Sequence, residues 1–160
     1  MTAALPADFL TAGPGTALTT GDVDTHRTGA LVRRLSGTAM RTVDGLYDAF
    51  AAAWDFPDHF GFNKDAFDDV IGDLPAGLRT STGGVATGFL TVIDHAEELL
   101  ADATDDDRAW FATSPPFWRE RCERDGRGFG IVLLADEGAA DGVEQRWRAA
   151  DGDLLRLRQD

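Results

Sequence analysis

Asp65, Asp68 and Asp69 are the residues of this chain whose type and spacing point most directly to chemistry. They stand at i, i+3 and i+4, so a helix sets them side by side on one surface. Clustered carboxylates can hold Ca²⁺ or Mg²⁺, can divide into the acid and base of a glycosidase, or can meet a basic partner. The spacing is not that of an EF-hand loop, and a helix face is convex where a glycosidase pair needs a cleft. A docking face for a basic partner fits the arrangement. The alternative without a function is a solvated helix face.

Other candidates are weaker. His59, between Asp58 and Phe60, offers an imidazole that titrates near neutral pH, or is simply an exposed loop histidine. His95 and Glu98 supply two metal ligands at i and i+3 but no third. Cys122 has Arg119, Arg121 and Arg124 nearby, which would favour a thiolate, but no histidine close in sequence to act as its base, and it reads as an inert thiol. Gly126, Gly128 and Gly130 spell G-x-G-x-G. The pattern runs into a strand instead of leading from strand to helix, so it is not a phosphate loop.

The elements that must carry these residues can be read from periodicity. Asn63 is a good N-cap for a helix from Lys64 to about Gly72. On that helix Ala66, Phe67, Val70 and Ile71 fill one arc, and Asp65, Asp68, Asp69 and Asp73 fill the other. A longer helix precedes it, capped by Thr42, with Val43, Leu46, Tyr47, Phe50, Ala51 and Trp54 on one face, and it must end before Pro57. The residues between, 55–63 (DFPDHFGFN), form an aromatic loop. Apolar, β-branched runs predict strands at 30–35, 88–93 and 128–134. Asp94 with Glu97 predicts a helix start, and further helical pieces are expected at 105–111, 117–124 and 143–150. Arg79 to Gly88 is expected to be a flexible loop. Strands alternating with helices predict an α/β fold, a small three-stranded parallel sheet flanked by helices and joined by right-handed crossovers. Residues 1–28 are expected to be a partly ordered N-terminal extension, and residues 29–160 the domain, with a C-terminal helical tail.

Charge narrows the partner. Asp and Glu number 28 against 15 Lys and Arg, a formal net charge of −13. Between Asp55 and Asp73 six aspartates face one lysine, a net −5. Such a chain is repelled by nucleic acid and by anionic membranes. One cysteine cannot form an internal disulfide, the N-terminus lacks a basic n-region, and no apolar run approaches the ~18 residues of a membrane helix. The expectation is a cytoplasmic monomer with no cofactor, no metal and no turnover.

The stretch from Leu46 to Leu74 (LYDAFAAAWDFPDHFGFNKDAFDDVIGDL) resembles the barstar family. Pro57, Phe60, Gly61, Asn63, Asp65, Ala66 and Asp69 keep its pattern of a first helix, a Pro-led aromatic-Gly-x-Asn loop and an acidic second helix. The resemblance implies a three-stranded parallel sheet with helices around it and a partner that is a small basic ribonuclease or related toxin, whose active site the loop and second helix plug. It implies partner-binding roles for Gly61, Asn63, Asp65 and Asp69, with Asp69 the dominant anchor and carboxylates standing where RNA phosphates would; His59, Phe60 and Asp68, on the same loop and helix, are expected to join them at the partner. Departures from the family are His59 in place of a tyrosine, Asp68 in place of a tryptophan and Val70 in place of a cysteine. A further acidic contact of the family falls near Glu120 or Arg121. Two other readings remain open: an interaction module of the same fold with a non-nuclease partner, and a small hydrolase using His59 and the aspartates.

Overall fold

Two seven-residue runs, Gly88–Asp94 and Gly128–Leu134, carry side chains that alternate between two apolar surroundings, and they form the middle of a parallel sheet. The computed structural model describes residues 2–74 and 86–158. Its elements run β1 (Thr2–Ala4), β2 (Thr16–Thr19), β3 (Asp22–Asp24), β4 (Leu31–Ser36), α1 (Val43–Ala53), α2 (Lys64–Gly72), β5 (Gly88–Asp94), α3 (Asp105–Thr113), α4 (Pro115–Glu123), β6 (Gly128–Leu134), α5 (Glu137–Ala149) and β7 (Leu155–Arg156). The predicted strands at 30–35, 88–93 and 128–134 are β4, β5 and β6, each within a residue at either end. The predicted loop from Arg79 lies, as far as residue 85, outside the described residues.

The sheet is not three-stranded. Among the described residues it has five strands in the order β4-β5-β6-β2-β7, all parallel, and β1 pairs with β3 in a separate parallel ribbon. The strand that extends it, β2, comes from the segment expected to be an extension. Its four residues, TALT, are buried throughout, so it lies inside the sheet beside β6. It escapes a periodicity reading because it is short, holds two threonines, and sits in glycine-rich surroundings.

The sheet has two unlike faces. Phe89, Ile93, Phe129, Ile131 and Leu133 point to a core built with the helices through Phe50, Phe67, Phe111 and Trp118. Leu90, Val92, Val132 and Leu134 point the other way, onto Phe9, Leu10 and Val23 of the N-terminal segment. The glycines of β6 allow that second layer. A Cβ at Gly128 would stand 2.5 Å from Leu10 Cβ, and one at Gly130 2.6 Å from the Phe9 ring. The G-x-G pattern is therefore a platform for close packing, consistent with its exclusion as a phosphate loop.

The helix predicted from Asp94 does not form. Asp94 stays extended and pairs with Ser36 across β4 and β5. His95 then takes left-handed backbone (φ 51°), and only a 3₁₀ turn, Ala96–Glu98, follows. The Leu100 amide bonds to the Met40 carbonyl at 2.7 Å and the Asp102 amide to that of Arg41 at 2.9 Å, so sheet and loop pairing outweigh the local capping signal. The other helices match expectation. Thr42 caps α1, Asn63 caps α2, and Gly126 takes the left-handed conformation (φ 71°) expected beyond the end of α4. Helix α5 begins earlier than predicted, at Glu137. Among the described residues no helix is long and apolar enough to cross a membrane.

Candidate functional site

The loop between α1 and α2 is built from its aromatic residues upward. Trp54, at the end of α1, donates its indole N–H to Thr91 Oγ1 at 3.1 Å, both buried, and so ties the start of the loop to the sheet. The Phe60 amide bonds to the Pro57 carbonyl at 2.9 Å, closing a turn. Phe60 then drops into the core at 6% exposure, its ring 5.0 Å from Phe56, 5.9 Å from Tyr47 and 6.5 Å from Phe67. With Phe60 as the plug, its neighbours His59 and Gly61 are left exposed.

Asn63 closes the loop onto the helix. Its Oδ1 accepts from the Ala66 amide at 2.8 Å, and its Nδ2 donates to the Gly61 carbonyl at 3.3 Å. Helix α2 then buries Phe67 and Ile71 completely. The Phe67 ring lies 5.1 Å from Phe50 and 5.3 Å from both Trp110 and Trp118, so the helix is held by an aromatic cluster contributed by α1, α3 and α4. Aromatic pairs of this edge-on and tilted kind add about 0.5–1.5 kcal/mol each beyond area burial.

The four aspartates of α2 do not all face outward. Asp65, Asp69 and Asp73 are exposed, as the wheel predicts. Asp68 is half-buried, and its Oδ1 accepts from Trp118 Nε1 at 2.7 Å and from Trp110 Nε1 at 3.4 Å. A wheel cannot show this, because it has no knowledge of α3 and α4. The Lys64 ammonium pairs with Asp107 at 2.8 Å. Burial pushes the Tyr47 phenol up, and the Asp107, Asp44 and Asp68 carboxylates push it further, so α2 and its surroundings carry a negative field.

Helix α4 approaches α2 closely at Gly72, where a Cβ would stand 2.5 Å from Arg121 Nε. That contact sets Arg121 Nη2 3.3 Å from Asp69 Oδ1, although the Asp69 side chain remains 68% exposed. Of the two positions near which the sequence placed a further acidic contact, Arg121 is the one beside Asp69, and it is basic. Sequence reasoning missed this pairing because the register between α2 and α4 is a tertiary property.

The weaker candidates resolve simply. Cys122 is 2% exposed, sits against the Ile71 carbonyl at 3.5 Å, and burial pushes its thiol up to about 12. Its buried position outweighs the nearby arginines. Glu98 is taken by Thr38 and by Arg41, whose Nη1 lies 3.0 Å away, and His95 lies instead near Glu97 at 3.7 Å. Among the described residues no three His, Cys, Asp or Glu side chains converge as a metal ion would need.

A family model described as Barstar (barnase inhibitor) matches residues 30–133, a span that takes in β4 and all but the last residue of β6. The span contains the aromatic loop, all of α2 and Arg121. No curated protein matches the chain.

Proposed function

The chain belongs to the barstar family, and from that premise we propose that it is a protein inhibitor of a basic ribonuclease or related toxin, acting by occlusion without turnover, cofactor or metal. The observation that carries the reading is the pose of α2. Phe67 and Ile71 are fully buried beneath it while Asp65 and Asp69 stand exposed one turn apart. The carboxylates are thus offered on a rigid support, where they can take the places of RNA phosphates among a nuclease's cationic groups. His59, Gly61 and Asn63 line the loop side of the same face. Phe60 and Asp68 serve it from beneath, one by plugging the loop into the core, the other by binding the indoles of α3 and α4. The net charge of −13 disfavours RNA itself as a ligand and favours a basic protein. The partner would be met in the cytoplasm, one inhibitor chain to one enzyme.

The test is titration of the purified chain into a panel of small basic ribonucleases, barnase included, with RNA hydrolysis as the readout. Stoichiometric loss of activity of at least one enzyme is expected. Full activity of every enzyme at excess inhibitor overturns the reading.

A further inference from the structure

Large apolar side chains exposed on the described residues are few: Phe62 at 52%, Phe117 at 45% and Leu155 at 36%. Leu155 lies in the edge strand β7. Phe62 immediately precedes the cap of α2, and Phe117 lies on the neighbouring helix α4. The Phe62 ring rests on Phe60, centroid to centroid 4.7 Å. Its backbone is left-handed (φ 51°), a conformation that suits Gly or Asn and is rare for a bulky residue. A strained position filled by an exposed aromatic ring points to a use for that ring. On α4 the Phe117 ring lies 5.7 Å from the Arg121 guanidinium, which reaches Asp69 at 3.3 Å. Arg121 therefore touches both the Phe117 ring and the Asp69 carboxylate.

We infer that Phe62 and Phe117 are the apolar anchors of the docking surface, and that the basic ribonuclease presents apolar sockets beside the basic groups that receive Asp65 and Asp69. The inference rests on the inhibitor reading above and adds the source of affinity. Complementary charges supply association rate and register more than tightness. Tightness comes from a few anchors, aromatic ones prominent among them, and rings already held in place lose little freedom on binding. Beside Phe62 lies an open hollow of about 560 Å³ lined by Asp44, Asp65, Tyr47 and Lys64; with Lys64 paired to Asp107 at 2.8 Å, its two carboxylates suit a lysine or arginine of the partner.

The experiment uses the full chain and a ribonuclease from the panel that it inhibits. Phe62→Asn keeps a residue suited to the left-handed backbone, and Phe117→Ala removes the second ring. Each is expected to weaken inhibition about tenfold or more, with melting unchanged, while Leu155→Ala inhibits as the parent does. A second measurement needs no variant: hydroxyl-radical labelling of Phe62 and Phe117 should fall in the wild-type complex while that of Leu155 does not. If the parent inhibits but both ring variants inhibit equally well, or both rings stay labelled in the complex, this inference is overturned and the inhibitor reading stands. If the parent inhibits no ribonuclease, both fall together.

Discussion

Asp69 and Arg121 lie 3.3 Å apart on neighbouring helices, so the carboxylate that the family resemblance makes the anchor is already paired within its own chain. The pair is solvent-exposed on the Asp69 side, and exposed ion pairs contribute about 0–1 kcal/mol. A partner bringing several cations to Asp69 has little to displace.

Asp69→Ala is therefore expected to leave thermal stability unchanged, with a double-mutant cycle against Arg121→Gln giving a coupling under about 1 kcal/mol. Loss of inhibition should be largest for Asp69→Ala, on the order of 2–5 kcal/mol if the charge is fully desolvated in the complex. Asp65→Ala should follow, and Asp73→Ala, at the end of α2, should be least affected. Inhibition constants measured beside melting curves check the order. An Asp69→Ala variant that inhibits like the parent removes α2 from the binding face.

Asp68→Ala should behave in the opposite way. It strips the acceptor from the Trp118 and Trp110 indoles, and an unsatisfied buried donor costs about 1–3 kcal/mol. Asp68→Asn keeps an acceptor oxygen and should recover part of that loss. Denaturant melts compare the two, and a fully stable Asp68→Ala would show that the indole bonds contribute nothing.

Association should be fast and fall steeply with salt. Electrostatic steering raises on-rates by about 10–10³ between oppositely charged surfaces, and here the segment from Asp55 to Asp73 carries a net −5. Stopped-flow rates that hold constant from low to high ionic strength contradict the expectation.

Cys122 predicts an alkaline loss of stability. Its thiol is raised from 9.0 to about 12 in the folded chain. The folded state keeps the proton while the unfolded state releases it, so this contribution is full below pH 9 and declines between pH 9 and 12. The slope within that window is at most about 1.4 kcal/mol per pH unit. Cys122→Ala should lack it, so the stability gap between parent and variant narrows as pH rises. The native thiol should also resist iodoacetamide at neutral pH. Rapid alkylation of the folded chain would show a lowered pKa instead.

Gly128→Ala tests the second face of the sheet. The new methyl group would meet Leu10 Cβ at 2.5 Å and the Leu10 carbonyl oxygen at 2.9 Å, and overpacking of this kind costs about 1–3 kcal/mol. Gly138→Ala, with open space around its Cβ, is the control and should not destabilise. Equal melting temperatures for the two variants would mean that the N-terminal layer is loose enough to yield.

Where the amino-acid pattern was legible, a local rule and the tertiary fold agreed. Asn63 caps α2 because its side chain reaches the Ala66 amide within the same turn. Phe67 and Ile71 are buried because the helical period sets them on one arc. β5 and β6 were found because strands covered on both faces are apolar at nearly every position. The pattern failed where a neighbour distant in sequence decided the outcome. Asp94 keeps its place in the ladder opposite Ser36, which no capping signal can reveal. Thr16 to Thr19 become a central strand because β6 offers an unpaired edge, although their own sequence is weak.

The sequence by itself determined the α/β class, the three strands β4 to β6, the acidic helix with its cap and apolar underside, and the net −5 carried from Asp55 to Asp73. Each of these follows from periods of 2 and 3.6 residues, from side chains acting within one turn, or from net charge. Only the tertiary structure decided which carboxylates remain available. Asp68 and Asp69 are adjacent in the chain and alike in chemistry, yet Asp68 turns to the indoles of Trp110 and Trp118 while Asp69 faces solvent beside Arg121. The physical reason is the packing of α4 against α2 at Gly72, where the absent side chain lets Arg121 approach. The distance between those helices is set by contacts some fifty residues apart along the chain, such as the Trp118 to Asp68 bond, and no local pattern encodes it.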